Sequence, residues 1–319
     1  MSAAREYDCI IIGAGAAGLT AAIYAARRTL KTVVLTKDLG GQASIAGLVE
    51  NYPGLGKETG LNIMERFKKQ AEEYGAEIVY REVNQIGKKG DQFFVKTADN
   101  EFSSKVIILA FGLTPRDLNV PGESEFKNKG VSYCSTCDGP LFKDKTVAVV
   151  GGGNSALDSA ELLSKIAKQV YLIHRGDEFR GEKIVLSKLK ERDNVLMLMN
   201  TEIAEISGGG IVKAIKVINN QTSEAMEIKC DGVFVEVGYI AKTEIVKDLV
   251  ERNERNQIKI NSNCETSCPG VFAAGDVTDI TYKQIVISAG EGAKAALQAY
   301  KFLQHKAGKT VGVDWGGKN

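Results

Sequence analysis

The chain has 319 residues, 41 basic and 40 acidic side chains, and a formal net charge of +1. That balance gives no footprint for nucleic acid or an anionic membrane surface, and six cysteines in so long a chain are too few for a disulfide scaffold. The length fits one large or two ordinary domains. With no apolar run of membrane-span length and no secretory leader, the sequence reads as a cytoplasmic protein with reduced thiols.

Polar residues 1–7 lead into Cys9-Ile10-Ile11-Ile12, an apolar run of strand length that reads as a buried parallel strand. Gly13-Ala14-Gly15-Ala16-Ala17-Gly18 follows, and then a small-residue helix through residue 26. Strand, Gly-x-Gly-x-x-Gly and helix in that order form the dinucleotide fingerprint. Its first glycine makes the turn, its second admits a pyrophosphate, and its third lets helix and strand pack closely at the helix N-terminus. Thr32-Val33-Val34-Leu35 is the next strand, and Thr36 and Lys37 stand where an acid would bind a ribose, with Asp38 close by. Gly40-Gly41-Gln42 and Glu50-Asn51-Tyr52-Pro53-Gly54 read as turns. Residues 61–74 read as an amphipathic helix with Ile63, Met64, Phe67 and Ala71 on one face. Residues 77–80, 92–97 and 105–110 read as strands.

Between residues 133 and 140 stands Tyr133-Cys134-Ser135-Thr136-Cys137-Asp138-Gly139-Pro140. A Cys-x-x-Cys pair with an acid after it suits reversible thiol–disulfide exchange. The short ring favours reversible oxidation, a lowered thiol pKa supplies thiolate, and Asp138 can carry the proton. Taken alone, the pair also admits a minor alternative, half of a zinc site with Cys264 and Cys268 as the second ligand pair.

Residues 146–150 restart the first pattern. Gly151-Gly152-Gly153-Asn154-Ser155-Ala156 is a second fingerprint, with a helix over residues 157–166 and a strand over 169–173. That strand ends in His174-Arg175, with Arg180 beyond, and basic groups there suit a ribose 2′-phosphate. Short antiparallel strands are expected at 204–206, 211–217 and 226–228, a buried strand at 232–238, a linker at 239–243 and a short strand at 258–260. A strand from Gly270 delivers Asp276 at its end, placed either to bind a polyol or to cap the next helix. A long helix covers 285–302, and the polar tail from Lys306 reads as frayed. Two fingerprints flanking a Cys-x-x-Cys imply electron passage between two cofactors and a sulfur pair, which leaves Cys264 and Cys268 in an ordinary turn and Cys9 and Cys230 as buried apolar residues.

The order and spacing of these segments over residues 7–303 closely resemble those of low-molecular-weight thioredoxin reductase, a homodimeric FAD enzyme. The resemblance implies an α/β fold with two Rossmann-like dinucleotide-binding domains of three-layer ββα type, the second inserted into the first. It sets an FAD-binding domain at 1–115 and 247–319 and an NAD(P)H-binding domain carrying the cysteines at 119–243. Gly13, Gly15, Ala16 and Ala17 would line the FAD pyrophosphate. Thr36, Gly41, Gln42 and Asn51 would hold the adenosine and flavin regions, with Val83 near the adenine. Asp276 would bind the ribityl chain, with Lys283, Gln284 and Ile285 beside the isoalloxazine. Lys283 stands where the family usually has arginine.

By the same resemblance, Gly151, Gly153, Asn154, Ser155 and Ala156 would cradle NADPH, with His174, Arg175 and Arg180 on its 2′-phosphate. Cys137 would be the thiol beside the flavin, Cys134 the thiol that attacks thioredoxin or a thioredoxin-like protein, and Asp138 the acid. The inserted domain would rotate about its two linkers during turnover. Gly176 departs from the family's basic patch and removes one charge-assisted contact worth about 1.5–3 kcal/mol. NADH therefore becomes a possible donor, and ferredoxin or a deazaflavin is the alternative. A binding module without turnover and a flavoprotein subunit that reduces a peroxidase partner are the remaining readings.

Overall fold

The computed structural model describes residues 4–46 and 48–310. It divides into two compact units, one made of residues 1–113 and 241–319 and the other of residues 114–240.

Among the described residues, the first unit has a seven-stranded sheet. Its central strand, Arg5–Ala14, pairs in parallel with Thr32–Leu39 on one side and Glu101–Leu109 on the other, so that Ile10 faces Val33 and Ile107. Val271–Ala273 joins Glu101–Leu109 in parallel, while Gln92–Lys96 pairs with it antiparallel and continues into Gln85–Lys89. Side chains alternate across a strand, and the core divides accordingly. Cys9 and Ile11 pack into the layer of the helices Ala16–Arg27, Gly60–Glu73 and Ile285–Lys306. Ile10 and Ile12 pack into the opposite layer with Phe93, Phe102, Val246 and Ile258.

The second unit repeats the plan. Among the described residues its parallel sheet has five strands, in the order Val131–Ser132, Gly232–Val235, Thr146–Val150, Gln169–Ile173 and Val195–Leu198. Val147 and Val149 face the helices Asn154–Ser164 and Lys183–Lys190. Ala148 and Val150 face an antiparallel sheet of Thr201–Gly208, Val212–Asn219 and Ala225–Lys229. The chain enters and leaves this unit through an antiparallel ribbon in which Thr114 pairs with Ile240 and Pro115 with Tyr239.

Several expectations need correction. The stretch 239–243 is not wholly a linker, because Tyr239–Ile240 is a strand of that ribbon. Residues 258–260 form no strand; Ile258 makes only isolated bridges, to Arg252 and Thr278. Thr36, Lys37 and Asp38 lie within Thr32–Leu39 rather than after it. The strands Gln85–Lys89 and Val195–Leu198 and the helix Lys183–Lys190 gave no clear periodic signal. The last helix runs on to Lys306, and most of the expected frayed tail, from residue 311, lies outside the described residues.

Candidate active site

Cys134 and Cys137 form a disulfide with their Cα atoms 5.4 Å apart. Cys134 is the N-cap of a single helical turn, Ser135–Asp138, and Cys137 lies within that turn. The Cys137 N–H donates to Cys134 Sγ at 3.1 Å. Two further bonds brace the turn: the Cys134 N–H donates to Ser132 Oγ at 3.0 Å, and the Ser132 hydroxyl donates to Asp138 Oδ2 at 2.6 Å. Asp138 is thus hydrogen-bonded within the redox turn. On the preceding residue, the Tyr133 hydroxyl lies 2.9 Å from Asp117 Oδ1 and 2.8 Å from Glu123 Oε1. Burial and these two carboxylates push the phenol's pKa up. Glu123 is buried and accepts the Leu118 and Asn119 N–H groups, which fixes the segment after the ribbon.

The first crossover of the first unit places Gly13 at φ +104°, a conformation glycine adopts freely. A Cβ on Gly18 would run into the Gly13 carbonyl oxygen, so the third fingerprint position needs glycine for close packing. Gly15 is the N-cap of the helix that Ala16 and Ala17 begin. The Thr36 hydroxyl accepts the Ala14 N–H at 3.2 Å and donates to the Asp38 carbonyl at 2.6 Å, so it orders the loop from inside the strand. Gly41 caps the short helix Gln42–Ile45 with open space beside its Cα, and Gln42 donates to the Leu113 carbonyl at 3.1 Å. The Asn51 amide donates to Gln284 Oε1 at 3.1 Å, which brings two expected flavin contacts together across 233 residues. Val83 packs on the sheet face of Ile10, and Ile285 on that of Ile11.

Asp276 follows the strand Val271–Ala273 by three residues, and among the described residues its carboxylate takes one hydrogen bond, from Ser288 at 3.2 Å. Burial pushes the Asp276 pKa up, opposed by Lys283 and Ser288. Its remaining acceptor sites suit a polyol hydroxyl. Lys283 donates to the Asp276 and Thr278 carbonyls at 3.0 and 2.7 Å, so the ammonium holds this loop closed. Burial lowers its pKa.

In the second unit, Gly151 lies against the Glu236 carbonyl and Gly153 faces open space before the helix Asn154–Ser164. Asn154 Oδ1 accepts the Glu182 N–H at 2.8 Å, Ser155 is exposed, and Ala156 is buried. Of the expected basic patch, only Arg175 and Arg180 are exposed. The His174 ring is buried, stacks on Phe179 with centroids 5.3 Å apart, and bonds the Glu178 carbonyl through Nε2 at 3.1 Å. Burial lowers its pKa, which favours the neutral ring. The absence of a side chain at Gly176 permits this, since a Cβ there would lie 2.8 Å from the ring.

Sequence reasoning gave no role to Ser135 of the redox turn and passed over Ser159 and Glu236 behind it. Ser135 Oγ lies 2.8 Å from Ser159 Oγ, which lies 2.8 Å from Glu236 Oε1. The available signal was Glu236 itself, a carboxylate within Val233-Phe234-Val235-Glu236-Val237.

The close glycine turn at Gly13–Gly18, the open space beside Gly153 before the helix Asn154–Ser164, and the half-buried Asp276 carboxylate beyond the strand Val271–Ala273 fit dinucleotides in both crossovers. Residues 7–299 match the pyridine nucleotide-disulphide oxidoreductase family. A thioredoxin reductase of Treponema pallidum is 39% identical over 300 residues, 93% of this chain and 97% of that protein. Crystal structures of thioredoxin reductases from Lactococcus lactis and T. acidophilum superpose with TM-scores of 0.85 and 0.82 at 36% and 41% identity. They cover 94% and 93% of this chain and 99% and 98% of theirs.

Proposed function

The chain belongs to the pyridine nucleotide-disulphide oxidoreductase family, and on that premise we propose that it reduces thioredoxin or a thioredoxin-like protein with electrons from NADPH, through FAD and the Cys134–Cys137 pair. The observation that carries this reading is the disulfide, held in a braced turn on a chain with two strand–glycine–helix crossovers. FAD is assigned to residues 1–115 and 247–319, and the nicotinamide nucleotide to 119–243. A flavin supplies hydride acceptance from the nicotinamide and two-electron delivery to a disulfide.

The chain's own groups then have defined tasks. Gly13, Gly15, Ala16 and Ala17 leave room for a pyrophosphate at a helix N-terminus, and Asp276 accepts from the ribityl hydroxyls. Lys283 keeps the Asp276 loop closed. Cys134 as thiolate attacks the partner's disulfide and forms a mixed disulfide. Cys137 displaces the partner's remaining sulfur, which leaves as a dithiol once protonated. Asp138, held by Ser132, carries a proton in that exchange. Arg175 and Arg180 supply the donor's phosphate contacts. The protein acts as a homodimer in the cytoplasm; among the described residues no helix is long and apolar enough to cross a membrane.

Anaerobic stopped-flow mixing with NADPH and with NADH, followed by oxidised thioredoxin, tests the whole reading. Flavin bleaching by NADPH and its recovery on adding thioredoxin is the expected result. A flavin that stays oxidised with both nucleotides would instead favour a non-nicotinamide donor such as ferredoxin or a deazaflavin. The thin basic patch left by Gly176 and the buried His174 is the observation on that side.

A further inference from the structure

The line Ser135–Ser159–Glu236 joins the residue after the first redox cysteine to a carboxyl at the end of the strand Gly232–Val235. We propose that Glu236 is a positioning residue for the Cys134–Cys137 couple, acting through Ser159 on Ser135, so that its charge sets the balance between disulfide and dithiol. The proposal rests on reading the two cysteines as a redox pair.

The argument is one of proton counting. Each serine has a single hydroxyl proton. When Glu236 is ionised it can only accept, so Ser159 donates to it and Ser135 donates to Ser159. The Ser135 proton then points along the line and away from the turn. When Glu236 is protonated on Oε1 it donates to Ser159, Ser159 donates to Ser135, and the Ser135 proton is released toward the redox turn. A reduced pair carrying one thiolate is favoured by a nearby hydroxyl donor and disfavoured by a nearby anion. Both effects run the same way: neutral Glu236 favours the dithiol, and ionised Glu236 favours the disulfide.

The surroundings hold the carboxyl near its switching point. Burial pushes Glu236 up to about 7, opposed by the Ser159 bond and assisted by Asp158 on the helix Asn154–Ser164. The Asp158 pKa is itself raised by burial and by Glu182 and Glu161. The Tyr239 phenol faces Glu236 from the ribbon, and its pKa is raised by burial and then by that carboxylate. Backbone packing fixes the residue, since the Glu236 N–H donates to the Val150 carbonyl at 2.8 Å and the Glu236 carbonyl abuts Gly151.

The test is equilibration of the holoenzyme with dithiothreitol buffers, reading Cys134 and Cys137 by alkylation and peptide mass spectrometry. The probe dithiol gives two electrons to the S–S bond, becomes its cyclic disulfide and releases two protons. One proton stays on a protein thiol, and the other goes to solvent where the second sulfur remains thiolate. Glu236→Gln is neutral and can still donate to Ser159. It is expected to shift the equilibrium toward dithiol by about threefold or more at about pH 8, and to match wild type at about pH 6. Ser159→Ala breaks the line while keeping the carboxyl, and is expected to reduce the wild-type change between the two pH values to the part that the nearby anion alone supplies. Far-ultraviolet circular dichroism and a cooperative thermal melt report folding of both variants. An equal shift at both pH values, no shift at either, or an unchanged pH response in Ser159→Ala would each overturn the proposal. A thiol count that ignores the buffer altogether would instead overturn the redox reading beneath it.

Discussion

The two crossovers, at residues 13–18 and 151–156, share a fingerprint but differ in how they are enclosed. In the first, Gly18 lies against the Gly13 carbonyl, and the helix Ala16–Arg27 is overlaid by Ile285–Lys306 so closely that a Cβ on Gly292 would strike the Ala17 carbonyl. In the second, Ala156 fits where the first needs glycine, and Asn154 and Ser155 at the helix start are exposed. The strand ends differ in the same sense. Thr36 is a buried hydroxyl tied to its own loop, whereas Arg175 and Arg180 stand exposed. A fingerprint therefore fixes the turn and the anion-facing helix end, while the flanking layers decide how sealed the site is. On the proposed reading, the sealed site retains FAD and the open one exchanges a nicotinamide nucleotide.

The most severe way to break this picture is to remove the sulfur pair that both sites are proposed to feed. Cys134→Ser and Cys137→Ser should each lower thioredoxin reduction on the order of a thousandfold or more while the flavin stays bound, measured by coupled turnover and visible absorbance. Next comes the sealed crossover. Gly18→Ala should cost about 3 kcal/mol, because the clash is with backbone, and should release flavin; thermal melting and cofactor content read both. Full flavin occupancy in that variant would contradict the close packing claimed for it.

A pH series then separates the two units. Glu236 belongs to the second, and its pKa in the folded chain, about 7, lies above the ordinary carboxyl value of 4.5. Between those values the folded chain holds a proton that the unfolded chain has lost, so stability falls as pH rises through this window and is level above it. Glu236→Gln should remove that slope and stabilise the second unit by about 1–3 kcal/mol at about pH 8, with little change at about pH 5, by thermal melting.

How much of this was legible follows from which contacts are local. The strands at Cys9-Ile10-Ile11-Ile12 and Thr146–Val150 were plain because parallel strands covered on both faces read as continuous apolar runs. The redox turn was plain because its chemistry lies within four residues. Gln85–Lys89 was missed because an exposed hairpin strand holding one buried residue, Ile86, has no clear alternation. The inward turn of His174 depends on its stack with Phe179, which only the closed loop creates. Ser159 and Glu236 meet across 77 residues, beyond any local pattern.

Two smaller effects sharpen the comparison. Gly176→Arg should displace the His174 ring, enlarge the basic patch and raise the NADPH-over-NADH ratio of kcat/KM by about tenfold. Ala156→Gly, the reverse of the change at position 18, should cost only about 1 kcal/mol, set by helix propensity, and leave flavin content untouched.

The ribbon of Thr114–Pro115 and Tyr239–Ile240 has a topological consequence. The two ends of the 114–240 segment are hydrogen-bonded neighbours, so the whole segment is a decorated loop on the first unit. Such a segment can be gained, lost or exchanged without rethreading any strand of the sheet that carries it. Ancestry of the two units is thereby uncoupled: the segment 114–240 can be exchanged at a single graft point while the first crossover keeps its own history.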